Sequence, residues 1–181
     1  MSKHEAVDIA WVSASGNSPG KIAEFSGFLR NSFFVSLYAY FENKLIRECR
    51  LRKTNFILLD FDDIRGFDVI ERVKKYFTKV LRTNFPSNTH EWETIQDYRI
   101  IRNCIVHAQG KLEELKDKKD REKLQRFVSK NKNISLFRNE EDPIHFFKNN
   151  GEIHIDKGFC EEACKTVETF LTMVLFPDKT E

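Results

Sequence analysis

Three residues in the stretch Tyr98 to Gly110, YRIIRNCIVHAQG, carry side chains suited to proton transfer and phosphate chemistry: Arg102, Asn103 and His107. An imidazole gains and loses a proton near neutral pH, so His107 can serve as base or acid. A guanidinium presents a planar, permanently charged fork that matches phosphate oxygens, and a carboxamide such as Asn103 can orient either group. Read as a helix at about 100° per residue, the stretch puts Tyr98, Ile101, Ile105 and Ala108 on one apolar arc. Gln96, Asn103 and His107 gather roughly opposite. Asn103 and His107 are therefore stacked neighbours, four residues apart. Arg102 lies about 140° around from His107, a gap that its long stem can lean across within one chain or over a subunit boundary.

The elements that must hold these residues follow from apolar periodicity. Lys21 to about Arg52 is helical, with Ile22, Phe25, Leu29, Phe33, Leu37, Phe41 and Leu45 at spacings of three and four. Phe28, Phe34, Val35, Tyr38 and Tyr40 widen its apolar girth, so one face enters a core and another meets either a second subunit or more of the same chain. Phe67 to Leu81 is the next helix, with Phe67, Ile70, Val73, Phe77 and Val80 inward. Pro86 breaks the chain, and Asn88 or Thr89 caps the helix from about Glu91 to Gln109 that carries the three residues, with Gly110 ending it. Lys111 to Lys132 reads as an exposed charged helix or helix pair. Ile134–Phe137, Ile144–Phe147 and Glu152–Ile155 are short strand-compatible runs with a hairpin signal at Asn150-Gly151. Phe159 to Phe176 closes the chain as a helix packing through Cys160, Ala163, Val167, Phe170, Leu171, Val174 and Leu175. The expected fold is all-α: a bundle of about four or five helices with a small β-hairpin insert before the C-terminal helix. Residues 1–20, ending in SASGNSPG, read as a flexible lead-in, and residues 21–181 as one domain.

Composition supports a packed chain. Hydrophobic residues make up 40% of 181, with 17 Phe, and only seven Gly and four Pro interrupt them, which favours long helices. The net charge of +2 is too mild to announce a nucleic-acid partner. A local patch stands out at KLIRECRLRK, where Lys44, Arg47, Arg50, Arg52 and Lys53 face one acid, Glu48. It reads either as a phosphate-binding surface or as a solvated helix end whose cations suit the dipole. No apolar run reaches membrane-span length and no leader pattern opens the chain, so a cytoplasmic protein is expected. Asp60, Asp62 and Asp63 lack the spacing of a calcium loop, and Cys49, Cys104, Cys160 and Cys164 lack zinc-ligand spacing, so no metal or cofactor is expected. His90, His145 and His154 read as structural or surface histidines. No Gly-rich phosphate loop, GxSxG or HExxH occurs.

The sequence Arg102-Asn103-x-x-x-His107 resembles the R-N-x-x-x-H signature of the HEPN superfamily (higher eukaryotes and prokaryotes nucleotide-binding), and the resemblance extends over roughly residues 22–176 through the aromatic helix upstream and the apolar helix downstream. It implies a homodimer whose motif helices share one cleft about a two-fold axis. It also implies a metal-independent endoribonuclease, a toxin or phage-defence effector, with Arg102, Asn103 and His107 as catalytic residues. Family members often place a polar or acidic residue on the first long helix facing the motif, and Glu42 is the matching position. Arg99, Arg47 and Lys44 are auxiliary or RNA-binding candidates on the same resemblance. RNA is the implied partner, with a cognate antitoxin or nucleotidyltransferase as a possible second one. Gln109 stands two residues after His107, where members modified by a nucleotidyltransferase often have Tyr, and this departure speaks against that form of regulation. The other readings from the sequence are a non-catalytic HEPN module binding RNA, nucleotide or a partner protein, and an unrelated interaction protein with His107 hydrogen-bonded in a core.

Overall fold

Buried phenylalanines need neighbours, and the fold gathers Phe34, Phe41, Phe85, Phe159 and Phe170 by threading one central helix between three others. The computed structural model describes residues 19–66, 68–137 and 151–177. Among these, five α-helices appear in the order α1 (Pro19–Leu51), α2 (Val69–Lys75), α3 (His90–His107), α4 (Lys118–Lys130) and α5 (Lys157–Leu175), with strands β1 (Ile134–Phe137) and β2 (Glu152–Ile155) before the last helix. This is the expected helical bundle with a hairpin insert. α3 packs against α1, α4 and α5, and α1 also packs against α2, α5 and β2. Buried residues form one continuous cluster through all of these elements, as a single hydrophobic core requires.

Edge-to-face aromatic pairs join the helices. Phe34 of α1 meets Tyr98 of α3 at 5.5 Å between ring centroids, and Tyr98 meets Phe159 of α5 at 5.5 Å. Phe41 and Phe170 sit 5.9 Å apart, while Phe85 and Trp92 close the other end at 5.3 Å. Such pairs contribute about 0.5–1.5 kcal/mol each beyond the area they bury.

Two expectations change in detail. The α1 stripe that turns inward is Phe34, Tyr38, Phe41, Leu45 and Cys49, whereas Phe25, Leu29 and Phe33 are exposed. Successive steps of four rotate about 40° forward, so the Phe25-Leu29-Phe33 run drifts off the buried side. The helix expected over Phe67 to Leu81 starts at Val69 and widens after Lys75 into a π turn, Tyr76–Val80, with Leu81 N–H donating to Tyr76 O at 2.9 Å. Tyr76 and Phe77 at the start of the π turn are buried, continuing the stripe of Ile70 and Val73. Phe67 lies outside the described residues.

β1 and β2 pair antiparallel with Ile134 opposite Ile155 and Leu136 opposite Ile153. Ile144–Phe147, His145 and Asn150 lie outside the described residues. No described helix is long and apolar enough to cross a membrane.

Candidate active site

Thr89 starts the central helix by accepting the Trp92 N–H on its side chain, leaving Glu91 and Glu93 in the first turn where the dipole favours acids. The other end is tied down more heavily. Gln109 and Gly110 take left-handed φ values of 53° and 78°, which returns the Gly110 N–H to Cys104 O at 3.0 Å. The Gly110 carbonyl then accepts from Ile153 N at 2.8 Å, and Leu112 N donates to Gly151 O at 3.0 Å. The hairpin thus clamps the last turn of α3, the turn that carries His107.

On that turn the structure brings the three motif side chains together. Arg102 Nη1 donates to Asn103 Oδ1 at 3.0 Å and lies 3.3 Å from His107 Nε2. A guanidinium has only hydrogens to offer, so a hydrogen bond here requires the imidazole lone pair on Nε2. Arg102 and Asn103 are half-buried and His107 is exposed. A solvent-borne phosphate can therefore reach all three.

Behind the motif, α1 and the start of α2 supply a second layer of charge. Burial raises the Glu42 carboxyl above its ordinary range, opposed by Arg102 and reinforced by Asp68. The Tyr38 hydroxyl is buried without a hydrogen-bond partner, and its pKa is raised by burial first, then by Glu42 and Asp68, against Arg99 and Arg102. These mutual influences place Tyr38, Glu42, Asp68, Arg99 and Arg102 in one electrostatic neighbourhood. Glu42 thus feels the charge of Arg102 without an ion pair to it among the described residues.

The remaining candidates separate from the site. Arg99 gives Nη1 to Asp68 Oδ2 at 2.5 Å, with the two side chains only 32% and 17% exposed, so it serves a bridge between α3 and α2. Asp68 also caps α2 by accepting from Ile70 N at 2.8 Å. Lys44 stacks over the Tyr40 ring at 5.2 Å and Arg47 is exposed; on α1 they point about 160° and 140° away from Glu42. The rest of the basic patch is internally paired. Arg50 bonds Asp62, Lys53 bonds Asp60, and Arg52 holds Glu48 and the Val174 carbonyl at the end of α5. Those pairs, with Asp63 accepting from Asp60 N, employ the Asp60, Asp62 and Asp63 carboxylates structurally. His154 lies 3.6 Å from Asp156, and His90 sits exposed at the start of α3.

Asp68 and Tyr38 were not singled out by motif spacing as members of this neighbourhood. An Asp immediately before VIERV is a readable cap signal, whereas nothing local marks its second bond to Arg99, thirty-one residues away. Comparison with protein-family models, with curated proteins and with solved structures gives no match in any of the three.

Proposed function

We propose that this chain is a metal-independent endoribonuclease of the HEPN type, acting as a toxin or phage-defence effector in the cytoplasm. The observation that carries the reading is the meeting of Arg102, Asn103 and His107 at one helix end, with the exposed His107 holding Nε2 3.3 Å from Arg102 Nη1. In the proposed reaction a ribose 2′-hydroxyl, absent from DNA, attacks the adjacent phosphorus. His107 Nε2 takes the hydroxyl proton as the 2′-oxygen–phosphorus bond forms. The bond from phosphorus to the 5′-oxygen breaks, and that oxygen is protonated by an imidazolium, leaving a 2′,3′-cyclic phosphate and a 5′-hydroxyl. Arg102 turns its fork from His107 to the phosphate oxygens, where negative charge builds. A homodimer with a composite cleft supplies a second His107, so that one imidazole acts as base and the other as acid.

One observation favours a second reading, a non-catalytic HEPN module that binds RNA, nucleotide or a partner such as an antitoxin: Arg102 Nη1 already faces the Nε2 lone pair that proton abstraction needs. The experiment that separates them compares wild type with His107→Ala on a mixed tRNA and mRNA pool. Cleavage by wild type alone, with RNA retained by both in a gel shift, is the expected result. Equal cleavage by both proteins overturns the assignment of His107.

A further inference from the structure

We infer that the groove between α1 and α5 is a docking site for an acidic amphipathic helix of a partner protein. Its floor is apolar: Leu29 and Phe33, one turn apart on α1, face Cys160 and Cys164, one turn apart on α5, around a volume of about 680 Å³. Leu29 and Phe33 are 51% and 44% exposed, and the apolar surface continues along α1 through Phe28 and Phe25 at 64% and 61%. An exposed apolar strip of this kind is a mark of interaction surfaces.

Charge identifies the occupant. Arg30, Lys157 and Lys165 rim the groove against a single acid, Glu161, which Lys157 holds at 3.5 Å. Lys165 has no ion pair among the described residues, so the rim carries a surplus of positive charge. A carboxylate laid over the groove offsets that surplus. Geometry selects a helix. From Phe25 to Phe33, and equally from Lys157 to Lys165, the walls run about 12 Å, a little over two turns, and present side chains at three- and four-residue steps. That spacing receives apolar anchors at i, i+3 or i+4 and i+7 of a partner helix, with its acids at the margins. The groove is built independently of the Arg102–His107 site, so this inference stands whether or not the chain cleaves RNA.

The groove also contains its own reporters. Cys160 and Cys164 are partly exposed, whereas Cys49 and Cys104 are buried and their thiols are pushed up to about 12, which keeps them unreactive. The test adds a labelled amphipathic helix of leucine and glutamate, and its leucine and lysine counterpart, to the full chain. Binding is followed by fluorescence anisotropy and by alkylation of Cys160 and Cys164. The glutamate peptide is expected to bind at least about tenfold more tightly than the lysine peptide and to slow alkylation. Phe33→Asp should abolish both effects and Arg30→Gln should weaken binding, with both variants still folded by circular dichroism because Phe33 lies outside the buried core. Equal binding of the two peptides, binding that survives Phe33→Asp, or no binding overturns the inference. So does alkylation that slows with protein concentration alone, which would assign the groove to a second copy of this chain.

Discussion

Arg102 and His107 point about 140° apart around α3, yet their side chains meet, with Nη1 only 3.3 Å from Nε2. The arginine stem leans along the last turn of the helix, and Asn103 Oδ1 takes a second hydrogen from the same nitrogen. One guanidinium nitrogen thus serves both partners. In the proposed reaction, a phosphate arriving at this turn would compete for that nitrogen and release the imidazole lone pair, coupling substrate binding to activation of the base.

Arg102→Ala and His107→Ala are each expected to lower RNA cleavage by at least about a hundredfold, the usual scale for loss of a proton-transfer or charge-stabilising group. His107→Ala should leave stability within about 1 kcal/mol of wild type because its contact is solvent-facing, and Arg102→Ala should cost somewhat more because Arg102 is half-buried. Cleavage rates and thermal melts on the same preparations check the pair of statements; an unfolded variant would assign the residue to the core.

Glu42 gives a pH signature. Burial disfavours its charged form, so the folded protein binds this proton more tightly than the unfolded chain does. The stabilising contribution is fully present below the ordinary value of 4.5 and is lost as pH rises through the raised folded value. Glu42→Gln should therefore melt at a higher temperature than wild type near neutral pH, with the gap closing as pH falls through the raised folded value towards 4.5. A gap that widens on acidification would contradict the burial of this carboxyl.

Asp68 holds two elements at once, capping α2 and pairing with Arg99 of α3. Asp68→Ala removes both and should cost about 1–3 kcal/mol in denaturant unfolding. Asp68→Asn keeps a capping oxygen and should cost less. Equal losses would show that the cap contributes little.

The turn after His107 contains two left-handed residues that should respond in opposite directions. Gly110→Ala places a side chain at a φ of 78° and should destabilise by about 1 kcal/mol. Gln109→Gly relieves a residue at 53° and should be neutral to stabilising by up to about 1 kcal/mol. Equilibrium unfolding of the two variants measures both signs.

The elements whose signals are local were legible in the sequence: Thr89 and Gly110 bracket α3, and the inward face of α5 follows its three- and four-residue spacing. The β1 and β2 runs were readable as strands for the same reason. Features decided by tertiary partners were not. α1 carries apolar residues on several sides, and only the placement of α3 and α5 selects Phe34, Tyr38, Phe41 and Leu45 over Phe25, Leu29 and Phe33. The π turn at Tyr76–Val80 is a one-residue slip of hydrogen bonding that apolar periodicity does not reveal. At the site, the Asn103–His107 adjacency follows from helix geometry. The diversion of Arg99 to Asp68, and the pairing of Arg50, Arg52 and Lys53 with nearby acids, needed the fold.

The central claim is tested most directly by incubating purified protein with RNA in EDTA and determining the chemistry of the fragment ends. Cleavage is expected to persist without metal and to leave 2′,3′-cyclic phosphate and 5′-hydroxyl ends. Intact RNA that is still retained on a gel shift, or fragments bearing 5′-phosphates, would contradict that claim.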